Sequence, residues 1–350
     1  MRQLLLKLTL STILFSSCMG NDGKPTLRFY SWNEYMDPTV ISQFESENNV
    51  HVKVSYFANN EEAIAKIEQE WKEHEDTPPY DVFFPSDYMV QYMKNKGLLE
   101  KIEMNQMPNV KNNILPFVKN PFDKKREYTV PYTWGSIGIL YNKKFVKNPV
   151  TSWKDILEPA AEYRQKILMI DSPKELVGVT LKYLGYSFNS SNEKELLKAK
   201  EILVKQSSSI LSYNGDSIQE GMSNEEAVMA VSWSAEAYYA MAKNPNLTFI
   251  IPKEGSNLWI DEFVILKGTK QKQLAQKLIN FFYRDDIQKK NWDYMHMSLP
   301  SIRAFNALPK GSLGKTWETN KKTLLKLEPN LDSNQKTKQI LYNIYTAIRS

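Results

Sequence analysis

Five short β-rich runs in this chain end in clusters of aromatic, acidic and hydroxyl residues. They are Ser31-Trp32-Asn33-Glu34-Tyr35, Pro85-Ser86-Asp87-Tyr88, Asp171-Ser172 with Glu175 one helical turn on, Ser232-Trp233-Ser234, and Trp259-Ile260-Asp261. The first four fall where a strand gives way to a helix, the position at which open α/β sheets bind ligands. In the fifth, the i, i+2 spacing puts Trp259 and Asp261 on one face of a strand. Carboxylates pair with ammonium groups through charge-assisted hydrogen bonds. Aromatic faces cover methylene groups and attract cations, at ~0.5–2 kcal/mol per contact. A linear polyamine, with ammonium groups separated by methylene chains, presents both features. Taken singly, each residue has a plainer role, the aromatics in a core and the acids as helix N-caps. It is their convergence that suggests a site for a cationic, partly apolar ligand.

Other chemistries lack their residues. The single cysteine, Cys18, excludes a disulfide scaffold and a multi-cysteine zinc or iron–sulfur site. The three histidines, His51, His74 and His296, have no ligand spacing, so no metal site and no cofactor is expected. No GxSxG, HExxH, Walker or GxGxxG pattern occurs. No basic stripe with interleaved aromatics is present, which argues against nucleic acid.

The elements that must position these residues alternate. Strand patterns cover 27–32, 50–56, 81–84, 129–141, 167–170, 227–231, 248–251 and 258–266. Helical patterns cover 38–48, 60–75, 89–96, 174–184, 193–205, 271–283 and 334–349, with Gly97 and Gly185 as stops. Such alternation predicts an α/β fold with largely parallel sheets, and 350 residues suffice for two domains.

The amino terminus sets the compartment. Arg2 and Lys7 precede an apolar run, 8–15, too short to span a bilayer. Ser16 and Ser17 stand directly before Cys18. The arrangement resembles a bacterial lipoprotein signal, which implies a signal peptide over 1–17, lipid on Cys18, and a polar tether over 18–26. Loss of 1–17 removes Arg2 and Lys7, so the formal net charge falls from +5 to +3. The mature chain is therefore expected in the periplasmic space, held to a membrane through Cys18.

A family resemblance extends this reading. The runs FYSWNEY (29–35), YDVFFPSDYMV (80–90), VPYTWGSIGILYN (130–142), SWKDIL (152–157), MIDSPKE (169–175), AVSWSAEA (230–237) and PKEGSNLWIDEFVI (252–265) stand in order. In that order they resemble the spermidine/putrescine-binding proteins of polyamine ABC importers. The resemblance implies a two-lobe periplasmic-binding-protein fold, each lobe a mostly parallel sheet flanked by helices, with the ligand cleft between. Lobe one would be 27–132 plus 256–304, and lobe two 133–255 plus 305–350. The implied partners are a polyamine and a membrane permease, and the protein is expected to act as a monomer.

By resemblance, Trp32 and Tyr35 form one aromatic wall, Asn33 stands beside them, and Glu34 pairs with an amine near one end of the ligand. Ser86 is a polar contact and Tyr88 an aromatic one. Glu175 meets the terminal ammonium in lobe two, with Asp171 nearby. Trp233 and Trp259 are opposing aromatic faces, Asp261 is the most characteristic carboxylate, and Gln335 is a late amide contact. Two positions depart from the pattern: Ser172 replaces a second acid found in spermidine-preferring members, and Met297 replaces a tyrosine near the hinge. Asn33-Glu34 resembles the spermidine-preferring members, whereas Ser172 and Met297 pull away from them.

Four alternatives stay open on the residues alone. Tyr238-Tyr239 resembles the tandem tyrosines of ferric-iron receptors. Aromatic walls also stack on sugars. Glu34 and Asp261 could act as acid and base in an enzyme. A lipoprotein can also be a surface adhesin.

Overall fold

The computed structural model describes residues 22–73, 77–215, 218–312, 315 and 320–349. Cys18 and the signal segment lie outside the described residues. Eleven strands are present among the described residues: β1 (Thr26–Trp32), β2 (His51–Phe57), β3 (Val82–Phe83), β4 (Thr129–Gly135), β5 (Ile137–Asn142), β6 (Ile167–Met169), β7 (Ser212–Tyr213), β8 (Met229–Trp233), β9 (Leu247–Ile250), β10 (Ser256–Ile265) and β11 (Leu327–Pro329). They form two sheets. The first has the order β11-β10-β3-β1-β2, with β4 also paired to β10; the second has the order β7-β6-β8-β5-β9.

Each sheet is mixed. Parallel pairing joins β1 to β2 and β3, β6 to β7 and β8, and β10 to β11. Antiparallel pairing joins β10 to β3 and β4, and β5 to β8 and β9. Parallel neighbours need a crossover, usually a helix, to bring the chain back. The β4–β5 run instead passes straight from one sheet to the other, so it pairs in the opposite sense.

Period-two alternation explains how the first sheet is buried on both faces. Phe29, Phe263 and Ile265 join one apolar cluster with Phe44, Phe84 and Phe282, while Tyr30 and Val264 join another with Phe57, Ile67 and Phe83. A third cluster, built on Ile139, Met169 and Val231, packs the second sheet.

The apolar run over 129–141 is two strands rather than one, broken at Ser136. The break is held by side chains. Ser136 Oγ donates to Asn257 O at 2.6 Å, and the Ile137 amide donates to Asn257 Oδ1 at 3.0 Å. The Ser234 amide donates to Ser136 O at 2.9 Å. The helix Asp285–Met295 carries no clear apolar period; it begins on Asp285 and Asp286 and ends on a left-handed His296. No helix among the described residues is long and apolar enough to cross a membrane.

Candidate functional site

The Ser136 break brings the two sheets' aromatic residues together. In the β4–β10 register Trp259 faces Gly135, and in the β5–β8 register Trp233 faces Ile137. The two tryptophans therefore pair with the residues on either side of Ser136. Gly135 is required for close approach, since a Cβ there would lie 2.3 Å from the Trp259 ring.

A cleft of about 700 Å³ opens between the sheets at this point. Trp32 and Tyr35 line it after β1, Asn60 and Glu61 at the start of the helix Asn60–Glu73, and Ser86 and Tyr88 around the start of the helix Asp87–Asn95. Trp259 and Asp261 reach it from β10. From the second sheet come Lys174 and Glu175 at the start of the helix Pro173–Tyr183, Trp233 at the end of β8, and Glu236 in the first turn of the helix Ser234–Lys243. Met297, Asp332 and Lys338 also line it. The carboxylates at these helix starts sit where the helix dipole favours negative charge.

Asp261 is the centre of the polar network. It is 6% exposed. Ser86 Oγ donates to its Oδ1 at 2.6 Å, and the Tyr35 hydroxyl donates to its Oδ2. Burial pushes the carboxyl up to about 6, and those two hydrogen bonds hold it from rising further. The donors are themselves positioned. Tyr132 OH donates to Tyr35 O at 2.6 Å. Asn60, also buried, accepts from the Ser86 amide at 3.2 Å and donates to Ser86 Oγ and Tyr88 OH, each at 3.1 Å. Tyr88 OH in turn donates to Glu61 Oε1 at 3.1 Å.

Toward the second sheet, Ser172 Oγ donates to the Glu175 carboxylate three residues on, at the start of the helix. Glu236 accepts from Gln219 Nε2. Lys338 pairs with Asp332 at 2.8 Å. The lining thus holds five carboxylates, at Glu61, Glu175, Glu236, Asp261 and Asp332, against two lysines, at Lys174 and Lys338. Its formal charge is negative by three.

Of the residues singled out from sequence, Trp32, Tyr35, Ser86, Tyr88, Glu175, Trp233, Trp259 and Asp261 line the cleft. Asn33 and Glu34 do not; both are exposed in a turn where Glu34 adopts a left-handed φ of 52°. That turn places Trp32 and Tyr35 at the cleft while the two residues between them face solvent. Asp171 is exposed beside Gly215, next to the Trp233 ring, and lies outside the lining. Gln335 is exposed as the first residue of the helix Gln335–Arg349 and is also outside it.

Sequence reasoning missed Asn60, Glu61, Lys174, Glu236, Asp332 and Lys338. Lys174 and Glu236 stood within two of the quoted runs, and Asn60 and Glu61 at a helix start, which was the available signal. Asp332 follows β11, a three-residue strand with no readable pattern.

The structure also bears on the rival readings. Tyr238 is buried against Phe249, Tyr239 lies under Lys243, and neither lines the cleft. Glu34 and Asp261 are not brought together as an acid–base pair.

Comparisons with known proteins agree with this architecture. Residues 39–322 match the family model described as bacterial extracellular solute-binding protein. The spermidine/putrescine-binding periplasmic protein of Escherichia coli strain K12 is 32% identical over 305 residues, covering 87% of this chain and 86% of that protein. The crystal structure of the spermidine/putrescine ABC transporter substrate-binding protein PotD from Streptococcus pneumoniae superposes with a TM-score of 0.82 at 29% identity, over 93% of this chain and 98% of that one. The PotD lipoprotein of Treponema pallidum superposes with a TM-score of 0.81 at 26% identity, over 92% of this chain.

Proposed function

This chain belongs to the bacterial extracellular solute-binding protein family, and from that premise we propose that it is the polyamine-capturing component of an ABC importer. It binds spermidine or putrescine between its two lobes and delivers it to a membrane permease. The observation that carries the reading is Asp261: a buried carboxylate held by Tyr35 and Ser86, in a cleft it shares with the rings of Trp259, Trp233 and Trp32. An ammonium group fits the carboxylate, and the attached methylenes fit the rings. A sugar would leave Asp261 without a counter-charge.

Lobe one is 27–132 plus 256–304 and lobe two 133–255 plus 305–350. This division is supported by β1–β3 and β10 lying in one sheet and β5–β9 in the other; β4 runs across the boundary, and β11 of the second part joins the edge of the first sheet through β10. The ligand holds the lobes together by binding the closed arrangement more tightly than the open one. The chain is a binding protein rather than an enzyme, as its family and its named relatives are. Lipid on Cys18 tethers it to the membrane after residues 1–17 are removed.

Calorimetric titration of putrescine, spermidine and spermine against protein lacking residues 1–18 tests the ligand assignment. Saturable one-to-one binding of at least one polyamine, recovered unchanged afterwards, is expected. No heat with any of the three refutes the reading. Fractionation of cells expressing wild type and Cys18→Ser tests the anchor: the wild type is expected with the membrane and the variant in the soluble fraction. Equal partitioning of the two refutes it.

A further inference from the structure

We propose that Asn60 is a positioning residue for cation capture: its single buried amide aims the hydroxyls of Ser86 and Tyr88 at two carboxylates of the cleft, Asp261 and Glu61. On the polyamine reading above, on which this rests, Asn60 is what holds those acids ready for an ammonium group.

The plainer role for an asparagine at this position is to cap its helix, and that role is already filled. Asn60 is the first residue of the helix Asn60–Glu73. Its neighbour Asn59 accepts from the Glu62 amide through Oδ1 at 2.8 Å, which is the bond a capping side chain makes. Among the described residues, the Asn60 side chain bonds only Ser86 and Tyr88, both on another element. It is 4% exposed, so water does not compete for it.

The amide can sit only one way round. The Ser86 backbone N–H can only donate, so the Asn60 atom 3.2 Å from it must be the oxygen. The nitrogen then faces Ser86 Oγ and Tyr88 OH, each at 3.1 Å, and has one hydrogen for each. A hydroxyl carries a single hydrogen. Having accepted from Asn60, each hydroxyl must send its own hydrogen elsewhere: Ser86 Oγ to Asp261 Oδ1 at 2.6 Å, and Tyr88 OH to Glu61 Oε1 at 3.1 Å. Both carboxylates line the cleft.

A hydroxyl that accepts a hydrogen bond is polarised and becomes a stronger donor. Asn60 thus strengthens both bonds at once and keeps both carboxylates as acceptors, the state in which they pair with an ammonium group. It also grips Ser86 at two points, the amide and the hydroxyl, so a change of rotamer that carries Oγ away from Asp261 breaks its bond to Asn60 as well. The other titratable groups whose charge bears on this network are Tyr35 after β1, Tyr132 on β4, Glu262 on β10, Asp87 at the start of its helix, and Lys174, Glu175 and Glu236 on helices of the second sheet. None of them bonds Asn60 among the described residues, so replacing Asn60 leaves their charges in place.

The experiment is calorimetric titration of putrescine and spermidine into the full-length chain in detergent, across a series of pH values. The proteins are wild type, Asn60→Leu, Asn60→Ala, the pair Ser86→Ala with Tyr88→Phe, and that pair with Asn60→Leu added. Asn60→Leu and Asn60→Ala are expected to weaken binding by about tenfold at pH 7, the scale of one lost hydrogen bond to a charged group. The midpoint of the affinity–pH curve should also move up, because the Ser86 bond that holds the Asp261 carboxyl down is weakened. In the background lacking both hydroxyls, Asn60→Leu should change affinity by less than about twofold, because Asn60 acts through them. A merely structural asparagine would cost the same in both backgrounds, and that result overturns the proposal. So does a loss below about threefold, or an unmoved midpoint, in the folded Asn60 variants. Thermal melting shows which variants are folded, and two replacements guard against one that is not. Binding of neither polyamine by wild type overturns the polyamine reading itself. Wild-type binding that the Asn60 variants leave unchanged overturns only the role of Asn60.

Discussion

Acidification should weaken ligand capture through one carboxylate. Asp261 is pushed up to about 6 by burial. Only its ionised form offers a counter-charge to an ammonium group, and polyamine ammonium groups stay protonated well above neutrality. Observed affinity is then the intrinsic affinity scaled by the ionised fraction of Asp261. For a pKa near 6 that fraction is about 90% at pH 7 and about 10% at pH 5. Affinity should therefore fall about tenfold between pH 7 and pH 5, equivalent to ~1.4 kcal/mol. Between pH 7 and pH 8 it should be nearly flat. Calorimetry in buffers of different ionisation enthalpy reads the same event as proton release, approaching one proton per ligand bound at pH 5 and vanishing by pH 8.

Two other buried acids titrate nearby and must be separated from it. Glu262, the next residue, is pushed up to about 7, and Asp87 lies well above the usual carboxylate range, both through burial. Neither lines the cleft. Asp261→Asn isolates the effect. It should weaken binding at pH 7 by ~1.5–3 kcal/mol, the worth of a hydrogen bond to a charged group. It should also remove the slope between pH 7 and 5. Unchanged affinity in the variant, or a slope that survives it, would refute the assignment of Asp261 as the ammonium's partner.

Three further outcomes follow from the same geometry. Tyr35→Phe removes one of the two hydrogen bonds that hold the Asp261 carboxyl down, so the midpoint of the affinity–pH curve should move above 6; a midpoint that stays or falls contradicts the role of that hydroxyl. Stability of the ligand-free protein should run opposite to affinity: Asp261 and Glu262 have raised folded-state values, so their contribution is fully present below the unfolded carboxylate range and is lost as pH rises through about 6 and about 7. Thermal melts should then show Asp261→Asn and Glu262→Gln each flattening its own part of that decline, and parallel curves for all three proteins would count against it. Gly135→Ala places a methyl 2.3 Å from the Trp259 ring and should cost affinity about tenfold by displacing that wall, and a variant that binds as tightly as wild type would show that the wall can shift freely.

Much of the scaffold was legible because its signals are local. β1 and β10 alternate large apolar residues toward two separate clusters, and that period of two survives in the bare sequence. Strand ends carry cleft aromatics because strand ends are where the chain leaves the sheet, which made Trp32 and Trp233 findable, while Trp259, inside β10, was found by its i, i+2 spacing with Asp261. The differences between the sequence reading and the structure have physical causes of another kind. Asn33 and Glu34 lie between two cleft residues in sequence, and only a left-handed turn at Glu34 sends them outward. Glutamate seldom adopts that conformation, and nothing in the run of residues or in the family resemblance signals it. The interruption at Ser136 is made by Asn257 more than a hundred residues away, which no local pattern encodes. Lys174 drew no notice in the sequence, because its contact with the Tyr88 ring is made across two elements.

The pairing of Asp261 with a raised proton affinity and a cleft rich in carboxylates answers a difficulty common to cation receptors. An ionised carboxylate buried without a partner is costly, and a receptor must spend time empty. Here the cost is limited chiefly at Asp261 itself: Ser86 and Tyr35 give it two donors, and a value near 6 lets a proton stand in for the ligand below that pH. Neither of these substitutes matches an ammonium on Asp261 itself near neutral pH, where the carboxyl is mostly ionised and holds only neutral donors. The unsatisfied charge left there is what a ligand cation relieves. An uncharged molecule of the same shape would fill the aromatic walls and leave it unrelieved. On the polyamine reading, a cation is preferred over an uncharged molecule of the same shape because it alone relieves the charge of Asp261.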